Sequence, residues 1–264
     1  MNVLKNYIQH ILLATTLIIV LASCKKTFDA KIPVNTVLGN TSSAQLYIAT
    51  VNATRNYIYM NSQTINGAAL GTGSIFPGAG TGFSIPAGAT NFLIQDVLAT
   101  ATQKPLYFAE NIPAGKTYTI FMYDTITSPK YKLVDNNFTV PTDTSCRVRF
   151  INLVYDPTSN PAVDVYSTSK QANVFTNVKV SEVTDYVPMA TNTTDTLSIR
   201  LTGSNIDLMN ITPPTPAPGN VLTPVRGIYS FSEKRNYTFI FRGSYRTTLT
   251  NATQQRTVSL IANY

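Results

Sequence analysis

Little in this sequence can move a proton or hold a metal near neutral pH. The one histidine is His10, and the only thiols are Cys24 and Cys146. His10 lies in an N-terminal apolar leader that is expected to be cleaved. Its loss would remove Ser-His-Asp triads, histidine acid–base pairs and His-ligated zinc from the repertoire. Carboxylates are the remaining source of chemistry. Asp164, Glu182 and Asp185 are the nearest set for a paired-carboxylate, glycan-acting enzyme, and Asp156, Asn160 and Asp164 the nearest for calcium. Both readings meet objections. Asp164 alternates with Val163 and Val165, which turns the valines to a core and the acid to solvent. Asp185, shortly before Pro188, suits bonding to turn amides, and four-residue spacing lacks the compact alternation of a calcium loop. Gly71-Thr72-Gly73 and Gly78-Ala79-Gly80 precede no helix that could cradle phosphate. The expectation is a non-enzymatic protein without catalytic residues, metal or cofactor.

Cys24 is different, because its surroundings specify a reaction. A short basic start (Lys5) leads into the ten-residue apolar run Ile11 to Val20, then into Leu21-Ala22-Ser23-Cys24. That is the layout of an export signal, and the run is too short for a permanent span of about 18 residues. Leu-Ala-Ser-Cys resembles the lipobox of bacterial lipoproteins, whose cysteine is acylated, by palmitate-type chains, before cleavage on its N-terminal side. Residues 1–23 are thus expected to be a signal peptide and Cys24 the lipidation site. Residues 24–42, mostly polar and aperiodic with Lys25, Lys26 and Lys31, form a tether that basic charge draws to an anionic membrane surface.

Cleavage there leaves 19 Lys and Arg against 13 Asp and Glu, a net charge of +6. In an exported protein the acidic partners are lipid headgroups and anionic glycans, and nucleic acid is not expected. The charge concentrates late, with Arg226, Lys234, Arg235, Arg242, Arg246 and Arg256 interleaved with Tyr229, Tyr237 and Tyr245. A solvated sheet face explains this better than a polysaccharide surface. Cys146 has no partner for a disulfide and opens an apolar strand, so a small buried residue is expected there.

The elements that must position these residues are strands. Short runs of Val, Ile, Thr, Tyr and Phe alternate with Gly, Pro, Asn and Asp about every ten residues, and no sustained 3.6-residue stripe follows the leader. The chain also repeats itself. Ser43-Ala-Gln-Leu-Tyr-Ile-Ala-Thr-Val parallels Ser145-Cys-Arg-Val-Arg-Phe-Ile-Asn-Leu at an offset of 102, and Gly115 to Asp124 parallels Lys234 to Gly243 at 119. The difference is assigned to a proline-rich insertion, Asp207 to Gly227. The expectation is all-β: two tandem immunoglobulin-like or transthyretin-like β-sandwich domains, residues 43–142 and 143–264. Leu46 and Ile48 should then match Val148 and Phe150, Ala44 should match Cys146, and Tyr118 should match Tyr237 in a packing role. The insertion should be a strandless loop, and its Pro213, Pro214, Pro216 and Pro218 a contact surface.

Arg147 to Leu153, Asn160 to Tyr166 and Phe175 to Tyr186 resemble the domain of unknown function 4397. Pro86 to Thr90 and the segment from Pro113 carry the resemblance more weakly in the first half, where Tyr57-Ile58-Tyr59 replaces the family's Val-Asp-Val. The resemblance implies a β-sandwich of exported or cell-surface bacterial proteins with no assigned activity. Together with the lipobox it implies an outer-membrane lipoprotein of Bacteroidota type, on the periplasmic or extracellular face. The lipobox, the repeat and the missing histidine lead to the expectation of a lipid-anchored monomer that binds a cell-surface glycan or protein, or serves adhesion, through its loops. A fimbrial or other assembling subunit is the alternative, since such proteins polymerise by strand exchange. Thr125 in Asp124-Thr125-Ile126 and Thr196 in Asp195-Thr196-Leu197 resemble O-glycosylation acceptors of such organisms.

Overall fold

The computed structural model describes residues 39–78, 82–137, 139–212, 221–247 and 254–263, so Cys24, the tether and the prolines 213–218 lie outside the described residues. The fold is all-β. The first half contributes β1 (Thr41–Ile48), β2 (Asn56–Met60), β3 (Gln63–Thr64), β4 (Ile75–Phe76), β5 (Phe83–Pro86), β6 (Gly88–Asp96), β7 (Leu106–Ile112), β8 (Thr117–Thr125) and β9 (Ser128–Asp135). The second contributes β10 (Cys146–Tyr155), β11 (Val163–Ser167), β12 (Ala172–Val178), β13 (Val187–Met189), β14 (Thr194–Leu201), β15 (Met209–Thr212), β16 (Val221–Pro224), β17 (Arg226–Ser230), β18 (Asn236–Ser244) and β19 (Thr257–Asn263).

Four sheets result. An outer sheet β3-β2-β6-β7 covers an inner sheet β4-β1-β8-β9, with β5 also on β1; a second inner sheet β13-β10-β18-β19 is covered by β12-β11-β14-β17. Period-two alternation fills the space within each pair. Ala44, Leu46 and Ile48 of β1 meet Ile58, Phe92 and Ile94 in one core, and Cys146, Val148 and Phe150 of β10 meet Val163, Val165, Leu197 and Ile199 in the other.

The four central strands are apolar on their other face too, and there the two inner sheets meet. Tyr47, Ala49, Phe121 and Val134 pack with Ile151, Leu153, Ile240 and Ile261 in a third core, and residues 39–264 form one compact unit. Burying each of the Val, Leu, Ile and Phe side chains there contributes about 1.5–3 kcal/mol.

The pairing register corrects the expected repeat. β1 runs parallel to β8 with Ala44 opposite Tyr118, and β10 runs parallel to β18 with Val148 opposite Tyr237. With the tyrosines matched, the opening strands are offset by 104 residues and not 102. Leu46 therefore matches Phe150, and Cys146 matches Ser42 rather than Ala44. A two-residue slip keeps every side chain on its face, so apolar alternation could not detect it. β5 and β13 fit the new offset, since Phe83 opposes Ala44 and Val187 opposes Val148. The left-handed residues Gly115 and Lys234, and Asp124 and Gly243, recur at the 119-residue offset of the tyrosines and support that match. A hydrogen-bonded pair recurs as well: Thr119 with Asn136, and Thr238 with Asn263 at 2.6 Å.

At this register the third core is symmetric in its membership. Tyr47 matches Ile151, Ala49 matches Leu153, Phe121 matches Ile240, and Val134 matches Ile261. Each half offers the other the same four positions, which is the pattern of an isologous two-fold interface.

The insertion is not strandless. Met209–Thr212 pairs with Val221–Pro224 as a hairpin, and Leu208 and Val225 at its base are buried in the second core. The residues flanking the prolines, Met-Asn-Ile-Thr and Val-Leu-Thr-Pro, can pair with each other without requiring a donor from residues 213–218.

Candidate functional site

Asp164 does not face solvent. It is 2% exposed, and its carboxylate accepts from Asn177 N–H at 2.7 Å, Gly203 N–H at 3.1 Å and Asn173 Nδ2 at 3.1 Å. The valines beside it are in the core as alternation requires, but the opposite face is covered. Register shifts between β11 and β12, with Asn177 in the left-handed region, bring backbone amides over the acid. Glu182 accepts from Lys179 N–H, and exposed Asp185 lies on the segment that joins the second inner sheet at the Ile151–Val183 bridge. Asp164 belongs to the outer sheet, so the three acids do not converge.

The calcium set is likewise spent. Asp156 accepts from Thr158 N–H, Ser159 Oγ and Arg246 Nε; although burial opposes ionisation, these donors hold its carboxyl below the ordinary range. Asn160 Oδ1 accepts from Val180 N–H at 3.0 Å. Among the described residues no three His, Cys, Asp or Glu are grouped as metal ligands would be.

The late basic cluster is not one surface. Arg256 is buried and donates to Asn210 Oδ1, Met209 O and Tyr245 O. Arg242 donates to Tyr47 Oη across the halves at 2.9 Å, and Arg246 pairs with Asp156. Tyr118 is buried, and the Tyr237 hydroxyl accepts from Ser232 N–H at 3.1 Å, capping backbone five residues upstream. Thr125 closes β8 at a hairpin end beside Thr127. Thr196 sits mid-strand opposite Ile228, next to an Asp195 that is buried and accepts from Ser167 Oγ and Ser169 N–H.

What sequence reasoning missed lies on the open face of the first outer sheet. Tyr59, Leu93 and Tyr107 are direct cross-strand neighbours on β2, β6 and β7, and Tyr107 is 69% exposed. With Ser62, Asn91 and Phe92 they line a groove of about 270 Å³. The polar end is held by the β2–β3 turn, where Asn61 N–H donates to Asn91 O and Asn91 N–H donates to Asn61 Oδ1. Beneath, on the core face, Phe92 stacks on Phe108 at 4.9 Å and Phe108 on Tyr131 at 3.9 Å, with Tyr131 Oη donating to Glu110. Two tyrosine rings flanking a leucine, braced from below, form a flat apolar strip with hydroxyls and amides at its margin. Such a strip can stack on the C–H faces of a planar or cyclic ligand while its rim makes hydrogen bonds. Each residue reads as an ordinary strand position, and only the alternation Tyr57-Ile58-Tyr59 hinted that two tyrosines share a face. No family model matches the chain and no curated protein matches it, so the resemblance to the domain of unknown function 4397 rests on the quoted residues alone.

Proposed function

We propose that the chain is an exported lipoprotein, anchored through Cys24, that binds a cell-surface glycan on the Tyr59–Leu93–Tyr107 strip and does not turn it over. The observation that carries the binding reading is the strip itself: three large side chains in register across three strands, with Tyr107 exposed and Tyr59 and Leu93 half-buried on the face opposite the first core. Support for a non-enzymatic reading comes from Asp156, Asp164 and Glu182, whose carboxylates accept from backbone or side-chain donors. Anchoring rests on the lipobox; among the described residues no helix is long and apolar enough to cross a membrane.

A glycan array probed with residues 25–264, followed by titration of the best ligand, tests the strip. Tyr59→Ala and Tyr107→Ala should each weaken binding about tenfold, in line with the loss of one stacking contact. Undiminished binding by both variants would overturn it. Separately, Cys24→Ala should abolish incorporation of labelled palmitate. Concentration-dependent polymers in light scattering would favour the assembling subunit instead.

A further inference from the structure

The internal two-fold is broken at its two ends, and the break leaves a cleft. At one end Arg242 of β18 reaches across the seam. Its Nε donates to Tyr47 Oη at 2.9 Å, and Tyr47 Oη donates to Ser259 Oγ at 2.8 Å. The guanidinium lies so close to Gly73 that a Cβ there would sit 2.6 Å from Nη2. Gly73 is held by donating to Ile48 O, while Ile48 N–H donates to Ser74 O.

The matching end has the same backbone and different side chains. Ser181 N–H donates to Asn152 O and Asn152 N–H to Glu182 O, so Ser181 matches Gly73, and both adopt a left-handed φ. Tyr123 stands where Arg242 stands, and Ile151 where Tyr47 stands. Ile151 offers no hydroxyl to anchor a cation, and Ser181 carries the Cβ that Gly73 lacks. Tyr123 therefore does not form the anchored plug that Arg242 forms at the other end. The space persists as a cleft of about 260 Å³, lined by Tyr123, Asp124 and Lys130 from the first half and by Tyr155, Asn160 and Ser181, among others, from the second.

We propose that this cleft is a binding site for one neutral, hydroxyl-rich residue, a single sugar unit. Its charges are already compensated: Lys130 Nζ lies 2.7 Å from Asp124, and Asp156 is paired with Arg246. A charged ligand gains little there, whereas a polyol finds both donors and acceptors. Asn160 is fixed through Oδ1 by Val180 N–H, which leaves its Nδ2 as a donor. Tyr123 and Tyr155 supply ring faces for the apolar side of a pyranose. This site is independent of the strip on the outer sheet, which lies on the far side of the first core.

The test is amide NMR of residues 25–264 titrated with glucose, galactose, N-acetylglucosamine and glucuronic acid. At least one neutral sugar should shift Tyr123, Asn160 and Ser181, and glucuronic acid should bind at least about tenfold more weakly. Tyr123→Arg combined with Ser181→Gly rebuilds the plugged end and should weaken that sugar by about tenfold or more. Asn160→Ala should weaken it severalfold and does not depend on the double variant folding. Tyr107→Ala should leave these shifts unchanged even where it abolishes binding on the strip. The absence of shifts with all three neutral sugars, or full binding by both cleft variants, would overturn the proposal.

Discussion

Cys146 shows what a single residue inherits from its place in a repeat. It is buried and its thiol donates to Met189 O at 3.6 Å; at the matching position Ser42, also buried, donates to Pro113 O at 2.6 Å. Both are small residues with one hydrogen to give to a carbonyl, which accounts for the thiol better than the apolar match to Ala44. Burial pushes the Cys146 thiol up to about 11. An unfolded chain ionises it near pH 9, so the stability contributed by the neutral buried thiol is complete below pH 9 and is lost as pH rises through about 11. Cys146→Ser should fold, and between pH 8 and 10.5 it should lose less stability than the parent by on the order of 2 kcal/mol. Urea midpoints at the two pH values measure this; parallel losses would show that the thiol titrates normally. At this scale the sequence was a good guide where a residue's neighbours along the strand decide its fate, as for Val163, Val165 and Cys146. It failed for Asp164, because the amides that bury it come from Asn177 and Gly203, which no local pattern links to it.

Among elements, the β15–β16 hairpin departs most from expectation, and one side chain ties it down. Arg256, 6% exposed, donates to Met209 O and Asn210 Oδ1 while its own carbonyl accepts from Asn210 Nδ2 at 2.9 Å. Arg256→Met would keep much of the bulk but leave buried acceptors unpaired, at about 1–3 kcal/mol each. Exchange of the Met209 to Thr212 amides should then accelerate by about tenfold more than exchange in β18; equal acceleration in both would mean that the hairpin is not held locally. Prolines signalled the insertion correctly, yet composition could not say that its flanks pair. The Tyr59–Leu93–Tyr107 strip was illegible for a related reason. Tyr59, Leu93 and Tyr107 are 34 and 14 residues apart, and their alignment follows from turn lengths that alternation does not specify.

Over the whole molecule, the third core decides how many cooperative units there are. Arg147, Arg149 and Asn152 interrupt the apolar run from Cys146 to Tyr155, so the sequence did not announce a strand covered on both faces, and nothing in it identified the cover as the other half of the chain. If the seam couples the halves, calorimetry of the parent should give one transition. Phe121→Asp and Ile240→Asp, at matched positions, should each split it into two. One transition persisting in both variants would show that coupling runs elsewhere, for example through Arg149, which is buried and donates to Thr238 Oγ1 at 3.0 Å and to Asn136. The parallel pairing of β1 with β8 carries a mechanical consequence. β1 is the first strand of the described residues and lies inside its sheet, with β5 and β4 along one edge and β8 along the other. Tension between a membrane and a bound ligand would enter the fold at Thr41 and, when directed along the strand, load those ladders side by side in shear. Rows of hydrogen bonds strained together yield at higher force than rows peeled one at a time, so with the proposed anchor at Cys24 β1 would be placed to hold under flow.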